Sequence, residues 1–224
     1  MSVTMCRRFS ASIVKKQVVA FTGLFFCLFL VGHLVGNLLI LVSPEAFNKY
    51  AHALVSNPAI YAIEAVMTIL FLTHVVLALK LTRENRKARG ESYHLKRNTG
   101  RGATFMSDTM PYTGILIFVF LVLHILKLKY GTYYEVTYDG LVIRDLFKTM
   151  VEYFRNPLNV AFYIAAMLVV GIHVSHGLWS AFQTFGFNHP RYNGFLRKFS
   201  IIFAMVVAAG FMVLPIFCYL QGAN

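Results

Sequence analysis

Five histidines carry the chemistry this sequence offers. His33, His74, His124, His173 and His176 each fall inside a long apolar run. A charged side chain at hydrocarbon depth costs roughly 2.5 kcal/mol or more, so an ionisable group there marks a working site by default. Neutral imidazole is also a ligand for transition metals. One such histidine usually does no more than hydrogen-bond across helices. Four of five apolar runs each contributing one or more is a pattern that calls for a shared partner.

Depth sorts them. At 1.5 Å per residue, His33 lies ~24 Å into a helix counted from Gln17, and His124 lies ~24 Å into one counted from Asp108. The second and fourth runs travel the other way. His74 lies ~9 Å from the end at Lys80, His173 ~15 Å from the end at Gln183, and His176 ~10 Å from it. His33 and His124 therefore share an outer level, and His74 pairs with His173 or His176 at an inner one. Depth alone slightly favours His176. Two neutral imidazoles facing each other from separate helices can ligate an iron porphyrin from both sides, which leaves no open position for O₂. Zinc or copper could use imidazoles too, but paired imidazoles without carboxylate or thiol nearby suit haem better. Gly32 and Gly36 beside His33, and Gly171 and Gly177 beside His173 and His176, supply small residues expected to admit a flat macrocycle. His52, His94 and His189 fall in connections and read as surface residues.

The elements that must position these residues are membrane helices. The 224 residues are 58% hydrophobic and 13% charged, with mean hydropathy +0.62. Soluble domains average near 25% charged. Runs of ~20 apolar residues are long enough to cross a bilayer, whereas a transmembrane barrel would show alternating ten-residue segments. The expected fold is all-α, one domain over 1–224, with five transmembrane helices at about 18–41, 59–81, 109–128, 157–185 and 199–220. Between them lie a basic arm through Gln17, a short loop at 45–58 with a helical turn near 48–55, and a basic segment at 82–106. A long polar connection spans 129–156 and a turn-rich loop 186–198, and Pro215 is a candidate kink. Within 143–154, apolar residues recur at helical spacing, which predicts one interfacial amphipathic helix.

Charge sets the expected topology. Fifteen of the 21 Lys and Arg fall in the N-terminal arm, the 80–101 segment and the 191–198 loop. The other six, Lys49, Lys127, Lys129, Arg144, Lys148 and Arg155, fall on the opposite side. The positive-inside rule then puts the N-terminus in the cytoplasm and the C-terminus outside. A net charge of +12 on a soluble chain would suggest nucleic acid; here the charges flank apolar runs, so lipid or an acidic partner fits and nucleic acid does not. Cys6, Cys27 and Cys218 form no C-x-x-C-H motif, so covalent haem attachment is not expected. No small-residue cleavage site follows the first run, so no cleavable signal is expected.

At these residues the chain resembles the single-chain di-haem cytochrome b subunit of bacterial succinate:quinone oxidoreductases, the succinate dehydrogenases and fumarate reductases. The carrying segments are Thr22-Gly23-Leu24-Phe25, Gly32-His33-Leu34-Val35-Gly36-Asn37-Leu38 and Pro44-Glu45-Ala46-Phe47-Asn48-Lys49-Tyr50-Ala51. Thr73-His74 and Ser175-His176-Gly177-Leu178-Trp179-Ser180 add to them. The resemblance implies two haem b groups, a distal one on His33 and His124 and a proximal one on His74 and His173. His173 is selected as the residue four before Gly177, which leaves His176 as a neighbour of a propionate. It implies a covalent-FAD flavoprotein and an iron–sulfur protein as cytoplasmic partners of a subunit in the bacterial inner membrane. Dicarboxylate chemistry would sit on another chain, and a quinone, in this case menaquinone, would be the membrane substrate. The basic arm and the 80–101 segment are the implied docking surfaces, with Lys15, Lys16 and Arg83 nearest to neutralise propionates.

Glu64 is the one acid well inside a span, on the outer half of the second helix. Some family members use a carboxylate near the distal haem for quinol protons, and burial would suit Glu64 to that role. It equally fits a polar residue at a helix entry. Some fumarate reductases carry a glutamate two residues before the fourth-helix ligand. Gly171 stands there, so that proton route is not expected. Two other readings use the same histidines: a cytochrome b anchor of a hydrogenase or formate dehydrogenase, and a transporter relaying protons.

Overall fold

The computed structural model describes residues 12–88 and 105–223, with side chains at 105–107 left aside. The basic residues Arg7, Arg8, Arg89, Lys96, Arg97 and Arg101, together with Cys6 and His94, lie outside the described residues. In chain order the elements are α1 (Ser12–Leu38), α2 (Pro44–Val55), α3 (Ala59–Ala88), α4 (Phe105–His124), β1 (Glu135–Tyr138), β2 (Leu141–Arg144), α5 (Leu146–Phe154), α6 (Pro157–Thr184) and α7 (Pro190–Gly222). Five of these helices, α1, α3, α4, α6 and α7, are long and apolar enough to cross a membrane. In lipid every backbone N–H and C=O must be satisfied within the segment, and a continuous helix does that. The fold is an all-α membrane bundle, with α5 as the short amphipathic helix.

Local chemistry sets the helix starts. Ser43 Oγ accepts from Ala46 N at 3.0 Å, with Pro44 at the first position of α2. Asn156 Oδ1 accepts from Leu158 N at 2.9 Å ahead of Pro157, and His189 does the same for Arg191 N at 3.2 Å ahead of Pro190. Side-chain acceptors at the cap and proline just inside are the expected signals. His189, read as a surface residue, is thus the cap of α7.

α1, α3, α4 and α6 form a ring in which α1 packs on α3, α3 on α4, α4 on α6 and α6 on α1. α7 lies outside it, against α6, α5 and α1. The two diagonals of the ring, α1 with α4 and α3 with α6, are not packed faces. A long-range ion pair fixes each end. Lys15 Nζ meets Glu84 at 2.6 and 2.7 Å, tying the start of α1 to the end of α3. Lys129 pairs with Glu64, tying the end of α4 to the start of α3.

The best-buried apolar cluster sits at the far end from Lys15. Ile40, Phe47, Phe154, Tyr163, Leu214 and Cys218 meet there. Asn48, wholly buried, links three segments. Its Nδ2 donates to Asp145 Oδ1 at 2.9 Å and to the Tyr138 hydroxyl at 3.4 Å, and its Oδ1 accepts from Phe147 N at 2.9 Å.

Several boundaries differ from the sequence expectation. The 45–58 loop is largely helix. α1 has begun by Ser12, so Lys15 and Lys16 belong to it rather than to an arm. Lys15 is buried and paired with Glu84, which removes it as a free cation for a propionate. α3 continues past Leu81 to Ala88, and α7 starts at Pro190 instead of Phe199 and passes through Pro215 unbroken. The 129–156 connection contains a hairpin, with Glu135 opposite Arg144 and Tyr138 opposite Leu141. Its two-residue turn, Asp139-Gly140, has φ of 52° and 78°, the Asp-Gly combination that a tight hairpin requires.

Candidate functional site

The outer level is built on the α1–α4 diagonal. The rings of His33 and His124 are 6.1 Å apart, centroid to centroid, with planes at 82°. Imidazole nitrogen binds a first-row metal at about 2 Å, so rings on opposite sides of one metal have centroids about 6 Å apart. Aromatic rings flank both: Phe29 stacks on His33 at 5.3 Å, Phe211 lies 5.6 Å from it, and Phe120 lies 5.5 Å from His124. His124 ends α4, and the chain then widens into a five-residue π turn, Ile125–Lys129. Such turns recur at functional positions.

The inner level is built on the α3–α6 diagonal. His74 stands on α3, and His173 and His176 stand three residues apart on α6. Each of the first two is backed by a threonine from the adjacent helix. Thr22 Oγ1 lies 2.8 Å from His74 Nδ1, and Thr113 Oγ1 lies 3.0 Å from His173 Nδ1. The following residue is glycine in both cases. A Cβ on Gly23 would stand 3.5 Å from His74 Cε1, and one on Gly114 would stand 3.5 Å from His173 Cε1.

These donors fit a haem. The imidazoles stand on the helices of the two unpacked diagonals, and among the described residues no three metal-binding side chains converge. A porphyrin supplies its own equatorial nitrogens and asks the protein for two axial ligands, whereas zinc or copper would need more from the chain. Of the four glycines expected to make room, Gly32 and Gly177 do have space beside them, and Gly36 and Gly171 serve other neighbours. Gly36 admits the Tyr50 ring, whose atoms a Cβ would meet at 2.5 Å, and Gly171 lets α7 approach, with Ala208 Cβ at 3.2 Å. A side chain as long as glutamate at position 171 would collide with α7.

The chain is similar to the succinate dehydrogenase cytochrome b558 subunit of Bacillus subtilis. The two are 28% identical over 162 residues, which cover 71% of this chain and 72% of that one. No family model matches, and no solved structure does.

The structure brings the rings of His33 and His124 together and sets His74 and His173 each against a threonine of the adjacent helix. Glu64 stands apart from all five. It lies at the entry of α3 with its side chain 44% exposed and ion-paired to Lys129, so the burial expected of it is not found. Sequence reasoning named Thr22 and Gly23 only as part of the resemblance, without a role, and missed Thr113 and Gly114, though a signal was present. Thr-Gly occurs within α1 and again within α4, and in both the outer histidine follows the threonine by eleven residues. Eleven residues are close to three turns, so threonine and histidine share a face ~16 Å apart.

Proposed function

We propose that this chain is the membrane-anchoring di-haem cytochrome b subunit of a succinate dehydrogenase or fumarate reductase. It passes electrons between a cytoplasmic iron–sulfur subunit and membrane quinone, in this reading menaquinone. The observation that carries this is the meeting of the His33 and His124 rings across one diagonal of the four-helix ring, with His74 and His173 on the helices of the other diagonal at a level ~16 Å away. The similarity to the Bacillus subtilis subunit supports it from the sequence side.

His74 and His173 would hold the inner haem, and His33 and His124 the outer one. When bound, bis-imidazole iron supplies a one-electron carrier with no site for O₂. The chain's own residues do the rest. Four helices hold the ligand pairs in register, and the aromatic rings at the outer level exclude water. The apolar exterior keeps the assembly in lipid. The basic arm and the 80–101 segment face the cytoplasm, where a flavoprotein carrying FAD and an iron–sulfur protein dock and carry out the dicarboxylate chemistry.

The deciding experiment is haem quantitation on the purified complex, with reduced-minus-oxidised spectra. Two haem b per chain are expected, together with copurification of a covalent flavoprotein. Absence of haem would overturn the proposal and favour a proton-relay transporter. Two haems in company with a hydrogenase or formate dehydrogenase would overturn the choice of partner.

Glu64 is the candidate proton group for quinone at the outer side. Its carboxylate sits with Lys129 at the outer ends of α3 and α4, where water can reach it. Glu64→Gln is expected to slow quinone turnover by roughly 10- to 100-fold, the range lost with a general acid–base group of modest efficiency. Both haem spectra should be unchanged, and Glu64→Asp should retain most of the rate. Wild-type kinetics in Glu64→Gln would remove this residue from the mechanism.

A further inference from the structure

We propose that Thr22 and Thr113 are positioning residues that lock the inner imidazoles in one tautomer, with the proton on Nδ1 and the lone pair on Nε2. The inference rests on the reading of His74 and His173 as haem ligands.

A hydroxyl has one proton to donate and two lone pairs to accept with. Threonine in a helix can spend its proton on the carbonyl three or four residues back. Thr22 Oγ1 does so, at 2.9 Å from the Val18 carbonyl and 3.0 Å from that of Val19. Thr113 Oγ1 lies 3.0 Å from the Met110 carbonyl and 3.3 Å from that of Thr109. With their protons committed, both hydroxyls can only accept from the imidazole. Counting donors therefore assigns the ring proton to Nδ1 of His74 and of His173. A neutral imidazole protonated on Nδ1 offers Nε2 as its ligating nitrogen.

The device appears twice in the bundle. α1 gives Thr22 to His74 on α3, and α4 gives Thr113 to His173 on α6. Each of α1 and α4 also carries an outer histidine eleven residues on. The outer histidines have neighbours of other kinds. Near His33 Nδ1 stands the amide nitrogen of Asn37, a donor, at 3.3 Å, already bonded to the His33 carbonyl at 2.7 Å. Near His124 Nδ1 stands the Tyr163 hydroxyl at 3.4 Å.

Thr113→Val keeps the shape and removes the acceptor, and Thr113→Ser keeps the oxygen. On the purified complex the readouts are haem per chain after dilution into detergent, the low-spin EPR signals, and the midpoint potential of each haem. Loss of an outer-shell partner typically weakens metal binding about 10- to 100-fold. In Thr113→Val one haem of the two should be lost that much more readily, with its EPR signal and potential displaced and those of the other haem unmoved. Thr113→Ser should match the wild type, and Thr22→Val should act on the same haem as Thr113→Val. If the valine protein does not assemble, Thr113→Ala decides by the same readouts. Two haems with wild-type signals in the variant lacking the oxygen would overturn the proposal, and so would a serine variant that behaves like valine. A wild-type complex without haem would instead remove the reading on which the proposal rests.

Discussion

His74→Ala is expected to yield a complex with one haem per chain instead of two and to lower quinone-coupled turnover by at least ~100-fold, the upper range for losing a mere outer-shell partner. His74 is held by Thr22 at 2.8 Å, lies against Phe26 at a ring separation of 5.8 Å and has Gly23 beside its Cε1. Truncation removes one of two imidazoles and leaves His173 alone to hold the group. It also opens a hole among α1, α3 and α6, which a bundle held by packing cannot fill by hydrophobic collapse, since lipid is as apolar as its core. Haem quantitation and turnover on the same preparation test this. Both haems with normal turnover would show the inner pairing to be wrong. The companion variants settle the fourth-helix ligand. His173→Ala should behave like His74→Ala, whereas His176→Ala should keep both haems. The reverse result would make His176 the ligand and leave Thr113 backing a residue off the metal.

How much of this was legible in the sequence depends on what enforces each feature. The five membrane helices were, because hydrocarbon permits few alternatives to a long apolar helix. Their ends were not. A hydropathy reading stops at the first charges, but α3 continues through Arg83 and Glu84 to Ala88, and α7 begins nine residues before Phe199 at a proline with a side-chain cap. Backbone hydrogen bonding does not end where lipid does. The hairpin at 135–144 was signalled by Asp139-Gly140 alone, inside a stretch dominated by its tyrosines and the amphipathic helix after it. The histidine levels could be counted at 1.5 Å per residue, but the backing groups could not. Thr22 and His74 are 52 residues apart, and Thr113 and His173 are 60 apart. The Lys15–Glu84 pair, 69 residues apart, was hidden for the same reason, and so Lys15 read as a free charge. Gly36 and Gly171 read as room for a cofactor because small residues flank histidines there. Which neighbour a glycine admits is decided by Tyr50 on α2 and Ala208 on α7.

His124→Ala should remove the outer haem and spare the inner one, and the contrast with His74→Ala tests the direction of the electron path. The His33 and His124 rings meet 6.1 Å apart at the end of α4, three turns beyond Thr113. Nothing in the inner site, whose imidazoles are held by Thr22 and Thr113, depends on His124. One haem per chain should therefore remain, with the EPR signal that Thr113→Val would displace. If the iron–sulfur partner docks at the inner end, succinate still reduces that haem, while turnover with quinone falls at least ~100-fold, as for loss of the inner ligand. In His74→Ala the remaining haem is the outer one, cut off from its donor by the missing group, and succinate should not reduce it. A spectrum of each variant after succinate addition decides the matter. If the haem left in His124→Ala resists succinate and the one left in His74→Ala accepts it, the two levels are ordered the other way round. The N-terminus would then lie on the side opposite to the one that the lysines and arginines predict.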